Sequence, residues 1–289
     1  MTGMMPVYRC HVRDISMAAP IIIADSITRI GPEAAGAVVV NASHGGIYAA
    51  YLAARLHASA AIFNDASVGL DRAGIAGLDY LQELGIAAAT VGHDTARIGD
   101  GADMMARGVI THANALSSSL GVSPGQACSD AAAQLQQAPV IRHEPPQALE
   151  AAFPLIAEPP QVWALDSASL VSPGHRYAIV VTGSHGGLLG GRPETALKYD
   201  VLGALYNDAG VGKDEAGISR LPALDARGIA AATVSATSAR IGDARSTYED
   251  GIISHVNRRA SRLGLNEGIS TRDFVAMLRR ALTGSGRKQ

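Results

Sequence analysis

Short runs that are apolar at every position alternate along the chain with longer segments whose apolar residues recur at helical spacing. Runs at 21–24, 37–41, 60–63 and 86–91 predict four strands, and runs at 162–165, 177–181, 203–206 and 229–234 predict four more. Strands apolar on both faces suit a parallel sheet covered from two sides. Helices are expected at about 47–58, 73–84, 102–119 and 126–136, with counterparts in the second half. The fold class that follows is α/β, as two tandem Rossmann-like three-layer repeats with mostly parallel sheets, related by a pseudo-twofold axis.

The tandem arrangement rests on internal repetition. Ala37–Gly46 reads AVVVNASHGG and Ala178–Gly187 reads AIVVTGSHGG, an offset of 141, which Asp25-Ser26 and Asp166-Ser167 share. Beyond Gly190-Gly191-Arg192-Pro193-Glu194 the offset becomes 143. Ile62–Asn114 then aligns with Leu205–Asn257 without a gap, with 27 of 53 positions identical. Residues 1–137 are read as the first repeat with an N-terminal extension, and 162–289 as the second repeat with a C-terminal tail. Between them, 138–161 holds six of the 13 prolines and reads as an extended linker with a short helix near 147–153.

Parallel sheets bind ligands at the carboxyl ends of their strands, and the polar motifs fall there. Ser43-His44-Gly45-Gly46 and Ser184-His185-Gly186-Gly187 each place an imidazole, a hydroxyl and two glycine amides after a strand. His44 or His185 could serve as a general base, and the amides could hold an oxyanion. Asn64-Asp65 and Asn207-Asp208 follow the next strand, where the carboxylate could orient the histidine or ligate a metal. Ser67, a candidate nucleophile, faces Gly210 in the alignment. Arg97 and Arg240 of the A-R-I-G-D motifs could grip a carboxylate, or pair internally with Asp100 and Asp243. His112, Asn114, His255 and Asn257 fall inside predicted helices and are read as structural.

The order strand, S-H-G-G, crossover, strand, D-A-[SG]-x-G resembles caspase-like hydrolases over about 30 residues of each copy. That resemblance implies His44 as base, Gly45 as oxyanion donor and Ser67 in the place of the nucleophilic cysteine. The chain departs from the family there, with serine in one copy and glycine in the other.

Composition narrows the reading. A net charge of −2 gives no electrostatic case for nucleic acid, and no apolar run reaches the length of a membrane span. Two cysteines, Cys10 and Cys128, make neither a disulfide framework nor a zinc pattern, which favours the cytoplasm. His44, Asp65, His93 and Asp94 could converge on a metal, but no metal-binding spacing supports it, so no cofactor is expected. The ligand expected is a small anionic substrate, and Ala-rich helix surfaces leave room for a homo-oligomer. The leading expectation is a hydrolase of an amide or ester in a carboxylate-bearing metabolite. The alternatives are a lyase, racemase or isomerase working between the repeats, and a non-catalytic metabolite-binding protein.

Overall fold

The computed structural model describes residues 18–142 and 144–284. The N-terminal extension with Cys10, and the tail beyond Gly284, lie outside the described residues. The chain forms two mixed, mostly parallel β-sheets with helices. In the first, β1 (Ile21–Ala24), β2 (Val38–His44), β3 (Ala60–Asn64) and β4 (Ala87–Val91) run parallel in that order. A fifth strand, β5 (Ile110–Ala113), closes the edge antiparallel to β4.

The second sheet has six strands. Its centre is β7 (Gln161–Leu165), β8 (Ala178–His185), β9 (Gly203–Asn207) and β10 (Ala230–Val234), all parallel. Antiparallel edges are added by β6 (Ala152–Ile156) and β11 (Ile253–Val256). The eight predicted strands are present to within a few residues.

Alternation along β2 explains the all-apolar runs. Val38 and Val40 enter one core with Ile62, Met104 and Leu135, while Val39 enters another with Phe63, Leu78 and Leu81. The first core is closed by α3 (Gly101–Arg107), α4 (Ala115–Ser119) and α5 (Cys128–Leu135), and the second by α1 (Ile47–Arg55) and α2 (Gly77–Glu83). The second sheet is covered likewise, with Val181 and Phe274 on one face and Val180 and Leu224 on the other. Its helices are α6 (Arg220–Ala226), α7 (Ala244–Glu249), α8 (Arg258–Arg262) and α9 (Thr271–Gly284).

Three expectations are corrected. The helix expected over 102–119 is broken into α3, β5 and α4. Val109-Ile110-Thr111 is a β-branched run that prefers the pleated edge, and the Asn114 side chain caps α4 by accepting from the Ser117 N–H at 2.9 Å. His112 therefore lies on a strand and Asn114 at a cap; His255 and Asn257 lie on β11 and at the cap of α8 in the same way. The segment read as a linker contains β6, and no helix forms at 147–153. Finally, the segment aligned with α1 forms only two 3-10 turns, Leu189–Gly191 and Pro193–Thr195. Gly190 and Gly191 take left-handed φ values of 61° and 67°, and Pro193 cannot continue a helix.

Candidate active site

The carboxyl ends of the two sets of parallel strands face each other. Leu70 donates its backbone N–H to the Ala236 carbonyl at 2.8 Å, and Lys213, which aligns with Leu70, donates to the His93 carbonyl at 2.7 Å. Ion pairs follow the same cross-over. Arg97 Nε lies 2.9 Å from Asp214 Oδ2, and Arg240 Nη1 lies 3.0 Å from Asp71 Oδ2. Between these strand ends is a cavity of about 220 Å³, lined by both halves and by Glu150 from the connecting segment. Its size is below the usual range for drug-sized ligands and suits a small metabolite.

His44 and His185, at the ends of β2 and β8, both line this cavity. Each ring is pinned in the same way. The Gly46 N–H donates to His44 Nδ1 at 3.2 Å, and the Gly187 N–H donates to His185 Nδ1 at 3.1 Å. An accepting Nδ1 leaves the proton of the neutral ring on Nε2, and neither Nε2 has a protein partner among the described residues. Burial holds His44 down to about 4. Burial, then the charge of Arg220 and then His44 itself, push His185 well below the ordinary imidazole range. Near pH 7 the cavity thus presents two neutral imidazole donors, one from each sheet.

Hydroxyls complete the wall. Ser43 Oγ accepts from the Ile27 N–H at 3.1 Å and donates to Ser26 Oγ at 3.4 Å, and Ser184 Oγ accepts from the Ala168 N–H at 2.9 Å. The glycine amides are not free to hold an oxyanion. Gly45 and Gly186 donate to the Asn64 and Asn207 carbonyls at 2.9 and 2.8 Å, and Gly46 and Gly187 are spent on the histidines. The SHGG turn supplies imidazole N–H groups to the cavity, and its backbone N–H groups serve the turn.

The remaining sequence candidates lie off the cavity, at the contact between the sheets. Asp65 orients His93 and not His44: its Oδ1 accepts from the His93 backbone N–H at 2.9 Å and from Nδ1 at 3.0 Å, and Oδ2 accepts from the Thr111 hydroxyl at 3.0 Å. Burial acts to raise the Asp65 carboxyl, but the His93 bonds prevail and hold it below the ordinary value. The same hydrogen bond raises His93. Asp208 accepts from the Gly210 and Ala236 N–H groups, both at 2.9 Å. Asn64 and Asn207 brace the loops after β4 and β10 through the Ala96 and Ala239 carbonyls. Arg97 and Arg240 are held by carboxylates, Asp100 and Asp243 among them.

Ser67 and Gly210 differ for a steric reason. A Cβ on Gly210 would lie 2.4 Å from the Ser67 Cβ and 2.7 Å from its Oγ. The two aligned positions meet where the halves touch, and there is room for one side chain.

Sequence reading missed Arg220, Glu150, Arg29 and Lys198, all of which line the cavity. Arg220 aligns with Gly77, whose added Cβ would lie 2.7 Å from the Ala50 Cβ of α1. In the second half the Gly190–Glu194 insertion replaces that helix by turns, and the guanidinium occupies the space. It is only 5% exposed, donates to the Gly187 and Ala196 carbonyls at 2.9 and 2.7 Å, and stacks 5.0 Å from the Tyr206 ring centroid. Among the described residues it has no carboxylate partner. The glycine-to-arginine exchange within an otherwise matching segment was the available signal. Glu150 lay in a segment read as linker; burial, with a contribution from Asp166, pushes its carboxyl up to about 7 despite the opposing Ser167 and Tyr48 hydrogen bonds.

No group of three or more His, Cys, Asp or Glu side chains placed to hold a metal occurs among the described residues. No helix among them is long and apolar enough to cross a membrane. No protein-family profile, curated protein or solved structure matches the chain.

Proposed function

We propose that the chain is an acid–base enzyme of the lyase, racemase or isomerase type, acting in the cytoplasm on a small anionic metabolite held between two Rossmann-like three-layer repeats. A tandem duplication about a pseudo-twofold axis is supported by the crossed contacts, in which Arg97–Asp214 and Leu70–Ala236 are matched by Arg240–Asp71 and Lys213–His93. The observation that carries the functional reading is the convergence of His44 and His185, each with Nδ1 pinned, on one cavity.

Two neutral Nε2–H donors are suited to polarise a carbonyl or carboxylate oxygen as negative charge develops on it, each keeping its proton while the hydrogen bond strengthens. Glu150, poised near neutrality, is the group to take and return a proton at the adjacent carbon. The reaction class follows: abstraction of a C–H proton, with the electron pair moving onto the oxygen held by the imidazoles. Incubating the protein with small carboxylates in D₂O and following loss of C–H signals by NMR tests this. Deuterium should enter beside the carbonyl, and Glu150→Gln should slow exchange by about 10²–10⁴-fold. Bond hydrolysis without exchange would refute the assignment.

A hydrolytic reading, in line with the caspase-like motif order, has one specific support. Asp65 keeps the proton on His93 Nδ1, leaving Nε2 open as a base, and Ser67 adjoins this pair: Ser67 Oγ and His93 Cδ2 lie 2.7 and 3.0 Å from the same point beside Gly210. Covalent labelling of Ser67 by a fluorophosphonate, lost in His93→Ala, would favour it over the proton-transfer reading.

A further inference from the structure

Among the described residues Arg220 is a buried cation without a counterion, an arrangement that is costly unless something else supplies the negative charge. Its neighbourhood does not. Arg29 and Lys198 stand at the rim of the same cavity, and neither forms an ion pair among the described residues. Of the two lining carboxylates, Asp166 is committed to the backbone, accepting from the Ala151 N–H at 2.7 Å and the Ala244 N–H at 3.0 Å. The other, Glu150, is pushed up to about 7 by burial, so it is mostly neutral below that pH. Three cations set against the Asp166 carboxylate leave two positive charges unmatched while Glu150 is neutral, and one once it ionises. Two guanidinium N–H groups of Arg220 are spent on carbonyls and the Tyr206 hydroxyl also engages the group, which still leaves donors of its five for a ligand in the cavity it lines.

We propose that the cavity binds a small dianion, a dicarboxylate or a phosphomonoester, with one anionic group seated on Arg220 and the overall charge balanced by Arg29 and Lys198. The inference rests on reading the cavity as the substrate site and adds the charge and direction of the ligand. The anion seat belongs to the second half alone, because Gly77 leaves no room for a cation at the aligned position of the first. The anionic end therefore points toward α6, and the imidazole pair and Glu150 meet the remainder of the molecule.

Calorimetric titration of the full chain at constant ionic strength tests this, with succinate, malonate and inorganic phosphate as dianions and butyrate and acetate as monoanions. At least one dianion should bind tenfold or more tighter than every monoanion, and the succinate and phosphate arms distinguish the two sources of charge. Arg220→Gln should weaken that dianion at least 30-fold. Because a substitution at a buried site can unfold the chain, Arg29→Gln/Lys198→Gln at the rim is the second variant and should cost about tenfold. Equal binding of dianions and monoanions, no binding of any, or affinity unchanged in the folded variants overturns the proposal. Dianion binding without C–H exchange would leave this inference standing and remove the proton-transfer function. Exchange confined to monoanions would do the reverse.

Discussion

At the scale of single residues, the tautomer of the two cavity histidines decides what they can do. A backbone N–H aimed at Nδ1 turns each ring from a base into a donor, and the burden of proton transfer passes to Glu150. The pH dependence should show it. With a free-enzyme carboxyl near 7, kcat/KM should rise with pH through that value as the carboxylate forms, and Glu150→Gln should abolish the inflection.

The histidines also tie stability to acidity. Folded His44 stays neutral until pH approaches 4, whereas the unfolded ring takes up a proton below 6.5. The unfolded state binds more protons in that window, so stability should fall as pH falls from 6.5 toward 4. Urea unfolding at pH 7 and pH 5 should show a smaller acid loss in His44→Gln than in the parent. Gly210 gives a steric counterpart. Gly210→Ala, at a left-handed φ of 76° and against Ser67, should cost about 2–4 kcal/mol by thermal unfolding. Adding Ser67→Gly should recover part of that loss.

At the scale of elements, the parallel strands were legible because burial on both faces leaves an uninterrupted apolar run, as in Val38-Val39-Val40 and Ala230-Ala231-Ala232. The edge strands β5, β6 and β11 were not. Each is short and half-exposed; Thr111-His112 carries no apolar signal, and in the apolar run Ala152–Ile156 Pro154 argues against a strand, so the sheet edge beside them fixes their conformation. Much of the site was hidden for the same reason. SHGG announced itself at a strand end, but whether its amides were free depended on hydrogen bonds to Asn64 and Asn207 across the sheet. Arg220 acquired meaning only when the helix opposite it was replaced by turns.

Asn114 shows how much such an edge depends on one side chain. Its Nδ2 donates to the Ile86 carbonyl at 2.9 Å, and its Oδ1 accepts from the Ala88 and Ser117 N–H groups at 3.1 and 2.9 Å. Asn114→Ala should cost about 2–3 kcal/mol in urea unfolding, since it removes a cap and strands buried backbone groups. Ser119→Ala, on the exposed end of α4, should fall within about 0.5 kcal/mol of the parent.

For the whole molecule, the two sheets meet through backbone hydrogen bonds and crossed ion pairs more than through a broad apolar seam. The apolar cluster at that contact is small, built on Ala66, Ile98, Ala209, Ala216 and Ile241. The exposed pairs Arg97–Asp214 and Arg240–Asp71 are worth roughly 0–1 kcal/mol each, so Arg240→Gln alone should barely shift the unfolding midpoint. Cohesion depends instead on the paired loops Ala66–Asp71 and Ala209–Asp214, which carry their left-handed residues into contact.

Neither sheet encloses the cavity alone: His44 and Ser43 come from one, and His185, Ser184 and Arg220 from the other. A peptide cut after Arg142 would therefore yield two inert fragments, one bearing half of the imidazole pair and the other bearing the second half with the buried guanidinium of Arg220. Mixed together, the fragments should recover ligand capture only as they reassociate, in a titratable, concentration-dependent manner that makes the chain its own two-component reporter.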